Sequence, residues 1–356
     1  MPDISYDILQ RGVLRTAYRI DISKPHDTFL RDVVFGGAPI LGSGDAGYIQ
    51  YDFRRSNGTI SEEAIFGADP NRINYGTDFN ENILKPYYMN DVDTVSWYDT
   101  TRRVFGEDVS NPLSTSARAI IRLAEKRDNL RQGQDSRVEK LCAEMLLNGK
   151  ITLKYGGKQT MPMTSSLLSI SGANLYTDPI KVVIDAVDKA RTVNKAVKGA
   201  MAIVMNPSDA YNLSTCAAMD KLLDKETRNL ATVTYKAFTE NGLMYMGSFI
   251  AGGVVEIYSY AGVDAEGNNY IPQGKAILFM NSITLGSIGY GAVMVAENGG
   301  PGVPVVMEHR TAVYPEGKGD NIRVSVQEQT SQLPIITAID QYGVLTGIPA
   351  SLPSSN

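Results

Sequence analysis

Between Ser114 and Asn148 apolar residues return every three or four positions, and this period constrains the chain more than any other feature in it. Ala117, Ile120, Ile121, Ala124, Val138, Leu141, Cys142, Met145 and Leu146 fall together, with Arg122, Lys126, Arg127, Arg131 and Lys140 on other faces. The spacing predicts one helix about 50 Å long, several times the ordinary length. Asn111-Pro112-Leu113-Ser114 starts it and Asn148-Gly149 stops it. Gly133 is where a bend or break is expected. The stripe lapses between Leu130 and Val138, so a helix laid along a sheet is expected in preference to a coiled coil.

Upstream, residues 1–47 carry Pro25, Pro39 and Gly36-Gly37 with little periodicity, the composition of an extended arm that gains order against something else. Tyr48 to Arg55 alternates, placing Ile49, Tyr51 and Phe53 on one face of a strand. Asn57-Gly58 is a two-residue hairpin signal, and Thr59-Ile60 with Ala64-Ile65-Phe66 is the expected return leg. An isolated hairpin is marginal in water. Ile49, Tyr51, Phe53, Ile65 and Phe66 are therefore the candidate residues for resting on a neighbouring molecule. The polar stretch through Asn80 reads as a projecting loop.

Downstream, Pro179 to Arg191 reads as a helix buried along Val182, Val183, Ala186, Val187 and Ala190. Ala200 to Met205 is a strand stopped by Asn206-Pro207, after which a helix is expected to run towards Leu223. Val254 to Tyr258, Ala276 to Met280, and segments 291–296 and 322–327 read as further strands. The middle is thus mixed α/β, and the end is expected to return as strands beside the long helix.

Composition narrows function by subtraction. The 356 residues allow two domains, and 43% hydrophobic with 21% charged residues excludes wholesale disorder. No apolar run reaches the length of a membrane span, and the acidic start Met1 to Asp7 is unlike a secretion signal, so an intracellular product is expected. Lys and Arg number 34 against 39 Asp and Glu, with no basic block, so contact with nucleic acid should be weak. Cys142 and Cys216 cannot supply a four-ligand zinc site and read as buried thiols. His26 and His309 fit no metal-binding or nucleophile-activating pattern and read as satisfied or solvated. Glu62-Glu63 are adjacent, so a strand would aim them oppositely. Gly149-Lys150 and Gly157-Lys158 lack the spacing of a phosphate loop. Gly286-Ser287-Ile288-Gly289-Tyr290-Gly291 has the wrong order for a dinucleotide fingerprint, and it reads, like Gly36-Gly37, as a turn. No catalytic residue, cofactor or metal is expected. Tyr, at 19 against 9 Phe, is the one skewed residue, useful at interfaces.

Four stretches, in this order, resemble the lambda-type major capsid protein family of tailed bacteriophages, the capsid protein E family. They are Leu84-Lys85-Pro86-Tyr87-Tyr88 with Arg102 to Asp108 and Asn111 to Ser114; the helix ending Glu144 to Lys150; Ile257 to Gly267 with Ile271 to Leu278; and Tyr314-Pro315-Glu316 continuing to Gln329 to Pro334. The resemblance implies an α+β Hong Kong 97-type capsid fold. On this chain it implies an N-terminal arm at 1–47, an extended β-hairpin loop at 48–90 and a peripheral domain at 91–189 with its spine helix at 114–148. An axial domain at 190–308 and a return to the peripheral domain with a C-terminal tail at 309–356 complete it.

By the same resemblance, copies would form pentamers and hexamers of an icosahedral head around double-stranded DNA, made in the bacterial host cytoplasm and ending in the virion. A separate scaffolding protein, a portal and a cementing protein are the implied partners. Few residues precede the hairpin, and Lys85 alone offers a lysine in the loop, so a fused scaffold and covalent crosslinks are not expected. Two other readings are an encapsulin-like nanocompartment shell and a soluble α/β enzyme with a site built from scattered residues.

Overall fold

The computed structural model describes residues 27–42, 48–56, 77–84, 86–104, 113–153, 157–160, 168–193, 197–223, 231–233, 242–264, 266–295, 302–317 and 323–352. Its strands are β1 (Ile40–Leu41), β2 (Ile49–Ser56), β3 (Thr77–Leu84), β4 (Tyr87–Val95), β5 (Lys150–Leu153), β6 (Gly157–Thr160), β7 (Ser169–Ser171), β8 (Ala200–Met205), β9 (Ala231–Val233), β10 (Leu243–Ile250), β11 (Val254–Tyr260), β12 (Lys275–Met280), β13 (Gly286–Tyr290), β14 (Ala292–Val295), β15 (Val303–Val306), β16 (Arg310–Glu316), β17 (Arg323–Ile336) and β18 (Tyr342–Thr346). The helices are α1 (Trp97–Thr101), α2 (Thr115–Asn148), α3 (Pro179–Val193), α4 (Pro207–Ser214) and α5 (Ala217–Leu223).

Helix α2 is the long rod. The Ser114 hydroxyl accepts the Ala117 N–H at its start, and at its end Gly149 takes a left-handed φ of 62° and donates to the Met145 carbonyl. Gly133 does not break it. That position faces solvent, with nothing within 4 Å of where a Cβ would stand, so the glycine costs only helix propensity. The lapse in the apolar stripe has a different cause. There the buried face turns polar, with Gln134 at 1% exposure; Glu139, also buried, follows where the stripe resumes.

The helix lies along β17 and β4. Leu123 packs with Val95, Val313 and Val326 near one end, while Leu141, Cys142, Met145 and Leu146 enter the main core near the other. Strand β17, 14 residues long, organises the first sheet. Along one edge runs β4, from Val95 opposite Val324 to Tyr87 opposite Gln332. Along the other come β16 and then β13, with β1 parallel to β13 outside it. The C-terminal strand that returns beside the helix is thus β17.

The second sheet has seven strands in the order β7-β18-β12-β8-β11-β10-β9. Both faces of its centre are buried, which explains the near-continuous apolar runs of β8 and β12. Ala202, Val204, Ile277 and Phe279 join the core shared with α2, and Ile203, Met205, Ala276 and Leu278 face the layer of α3, α4 and α5. The expected stripe of α3 is buried there in full.

Several expectations are corrected. Gly286 to Tyr290 is a strand of the first sheet, and its glycines answer a steric demand unrelated to positive φ. A Cβ at Gly286 would stand 2.2 Å from the Ile335 carbonyl oxygen, and one at Gly289 would stand 2.3 Å from Ile49 Cδ1. The helix expected from Pro207 to Leu223 is interrupted at Thr215-Cys216. Strand β18 belongs to the seven-stranded sheet along with β7, so that unit takes chain from both outside ends of 190–308, while β13, inside that range, joins β17. The described part of 1–47 rests on the subunit's own core. Phe29, Leu30, Val34 and Phe35 flank and form a short π-helical turn, Leu30–Val34, and are buried in the subunit's own core. Four bulky apolar side chains so close together bury more in their own chain than an extended course would allow.

Candidate assembly surfaces

Strands β2 and β3 form a two-stranded sheet of their own, paired from Ile49 opposite Leu84 to Ser56 opposite Thr77. Eight pairs span about 25 Å at the rise of an antiparallel strand. The return leg is therefore 77–84, and the expected one at 59–66 is corrected. A turn at Asn57-Gly58 would place Ser56 opposite Thr59. The local signal loses because lengthening a loop adds little closure entropy, and the full-length partner strand completes every rung.

The candidate residues separate. Ile49 is fully buried at the root of the ribbon, packed in its own core, so it is not available to a neighbour. Tyr51 and Phe53 lie farther along β2, opposite Asn82 and Asn80. Ile65, Phe66, Glu62, Glu63, Lys85 and His26 lie outside the described residues.

A buried polar junction holds the start of the described chain to α2. Both oxygens of Glu139 accept backbone N–H groups, from Leu30 and Arg31, each at 2.8 Å, and Tyr260 donates its hydroxyl to Oε1 at 2.5 Å. One turn back along the helix, Asp135 Oδ1 lies 2.6 Å from the Arg31 guanidinium, which also reaches Glu308 at 3.0 Å. His309, with a side chain only 5% exposed, stands 3.5 Å from Asp135 on one side and 3.5 Å from Glu328 on the other. Burial alone would lift the Asp135 carboxyl, but the His309 hydrogen bond and the Arg31 charge together hold it below its ordinary value. Burial pushes Glu139 up to about 7, against the pull of its donors. In the sequence Glu139 is one acidic residue in a charged helix. Its sole signal is its place beside Val138, where the apolar stripe has resumed.

Large apolar side chains are exposed at many points of the described surface, among them a short helix and a two-stranded ribbon. Trp97 and Tyr98, 65% and 55% exposed, open helix α1, whose start is fixed by a capping box between Ser96 and Asp99. The Arg102 guanidinium lies over the Tyr98 ring at 4.3 Å. Met294 and Val303 are exposed on the β14–β15 ribbon. A cleft of about 750 Å³ beside this ribbon is lined by Met294, Val295, Arg310, Val313 and Tyr314 among others. Among the described residues no three His, Cys, Asp or Glu could hold a metal ion together, and no helix is long and apolar enough to cross a membrane. Cys142 and Cys216 are buried free thiols.

No family model matches the chain, and no curated protein matches its sequence. Its fold has counterparts among solved structures. A crystal structure described as that of a prophage capsid protein from E. coli CFT073 superposes with a TM-score of 0.54 at 15% identity, covering 75% of this chain and 79% of the other. The capsid of the cyanophage P-SCSP1u gives 0.45 at 10% identity, covering 86% and 85%. The SrpI encapsulin of Synechococcus elongatus PCC 7942 gives 0.41 at 13% identity, covering 79% and 81%. The likeness to the prophage protein defines the class of fold. This chain has the Hong Kong 97-type capsid fold, α+β, with α2 as its spine helix.

Proposed function

We propose that the chain is the major capsid protein of a tailed bacteriophage, of the lambda type. Copies would assemble as pentamers and hexamers into an icosahedral head around double-stranded DNA. The observation that carries this reading is the β2–β3 ribbon on a capsid-type fold. Two strands alone are marginal in water, and this pair leaves its own core at Ile49 as a separate sheet. A second copy would supply a surface for such a ribbon to rest on. Exposed Trp97, Tyr98, Met294 and Val303 add apolar area of the kind that interfaces use. Tyr51 and Phe53 are the residues proposed to meet the neighbour; Ile65 and Phe66 remain proposed partners in the same contact.

The reading extends to a scaffolding protein, a portal and a cementing protein as partners, and to weak, non-specific contact with the packaged DNA. Negative-stain electron microscopy of the chain expressed alone and with a scaffolding protein tests the proposal. Closed shells are expected. Small shells that carry a co-purified cargo enzyme would replace it with the nanocompartment reading. A monomer that persists at high concentration under both conditions would overturn it in favour of a soluble enzyme.

A further inference from the structure

We propose that Glu139, Tyr260 and the backbone carbonyl of Asp27 form a proton-operated clasp, which holds residues 27–31 to the spine helix in either of two hydrogen-bonded states. Glu139 has no exposed surface, and its carboxylate takes three donors: the Leu30 and Arg31 amides and the Tyr260 hydroxyl. Among the described residues no cation pairs with it, because the Arg31 guanidinium is turned to Asp135 and Glu308. The Tyr260 oxygen also lies 3.1 Å from the Asp27 carbonyl oxygen. One hydroxyl carries one proton, so it serves one of these two acceptors at a time.

With Glu139 ionised, Tyr260 donates to Oε1 and the Asp27 carbonyl goes without. When a proton from solvent bonds to Oε1, the new carboxylic O–H donates to the Tyr260 oxygen. The Tyr260 proton then swings to the Asp27 carbonyl, and Oε2 keeps the Arg31 amide. Every buried polar atom of the clasp has a partner in the neutral state, which also reaches one attachment further back along the chain.

The groups facing Glu139 bias this equilibrium. Asp27, Arg31 and Asp32 lie on the clasped segment, Asp135 and Cys142 on the helix, and Tyr260 and Tyr270 on and after β11. Glu308, His309 and Glu328 act through Arg31 and Asp135. Burial of an unpaired carboxylate places the change near pH 7, whereas a solvated glutamate titrates near 4.5. Opening the segment returns Glu139 to water. The attached state therefore binds more protons than the open one between these values, and attachment strengthens as the pH falls.

Amide hydrogen exchange of the full chain, corrected for the intrinsic rate at each pH, tests this directly. Protection in the peptide covering 28–33 should fall by up to about tenfold per pH unit between pH 5 and 7, then level off. Glu139→Gln should flatten the profile. Tyr260→Phe removes a donor from the ionised form, so it should move the levelling point to higher pH. An isotope-edited infrared titration of the Glu139 carboxyl reads the same midpoint without reference to stability. Protection independent of pH in the native chain, or an unmoved infrared midpoint in Tyr260→Phe, would overturn the proposal. Both measurements work on free or assembled subunits, so their outcome is separate from that of the shell reading.

Discussion

The side-chain nitrogen of Gln134 lies 2.9 Å from the backbone oxygen of Glu328, and the same nitrogen reaches Asp91 at 2.9 Å. A single amide thus ties the middle of the spine helix to β17 and to β4. Replacing it by leucine leaves a buried carbonyl and a carboxylate short of a donor. Gln134→Leu should cost about 1–3 kcal/mol of stability, seen as a lower urea midpoint. An unchanged midpoint would show that the helix is held by its apolar ends alone.

Two glycines of β13 should respond differently to alanine. A methyl at Gly286 meets backbone, the Ile335 oxygen, whereas one at Gly289 meets the far ends of the Ile49 and Ile335 side chains. Side chains can shift and a paired strand cannot. Gly286→Ala should fall at or above the upper end of the 1–3 kcal/mol range for overpacking, with Gly289→Ala below it. Thermal melts of the two proteins rank them, and the reverse order would contradict the packing described.

The acid limb of stability should belong in part to Asp135. Its folded value lies below the 3.8 of the unfolded carboxyl, so the unfolded chain holds more protons in the interval between them. The contribution is present above pH 4 and is lost as the pH drops through the folded value. Asp135→Asn should flatten the dependence of unfolding free energy on pH below about 4. A slope equal to that of the native protein would remove Asp135 from this role.

Tyr51→Ala combined with Phe53→Ala is expected to lower the yield of shells while the isolated subunit keeps its thermal midpoint. Sedimentation separates shells from subunits. Shell yield and stability equal to those of the unsubstituted chain would end the assignment of these residues to a contact between copies.

On the proposed reading, the balance of 34 basic to 39 acidic residues would give the shell only a weak hold on packaged DNA. Purified protein at physiological salt should show little retention of duplex DNA in a mobility-shift assay. Submicromolar binding would contradict this reading of the charge balance.

Legibility in the sequence followed the range of the interaction. Helix α2, with caps at Ser114 and Gly149, was readable to the residue because caps and period are local. So were β8 and the stripe of α3, and β12 to within one residue. The partner of β2 was not, since Asn57-Gly58 advertises a near turn and the choice of β3 depends on strands distant in sequence. Gly286 and Gly289 look like turn residues until Ile335 and Ile49 are brought against them. Of the candidate interface, Tyr51 and Phe53 sit on the ribbon as read, and Ile49 moved into the core because alternation reveals a face without saying how far along it burial stops. Glu139 and its donors join segments more than 100 residues apart, beyond the reach of any local pattern.

The ribbon's second strand ends at Leu84, and β4 begins at Tyr87, so a tug on the projection is handed almost at once to a ladder of nine rungs shared with β17. Rungs of an antiparallel ladder stand across the strand direction. Tension along the chain therefore loads them together in shear, with no single bond at which the strand can be peeled. Built in this way, the ribbon is anchored along a whole ladder at its root and not at one bond.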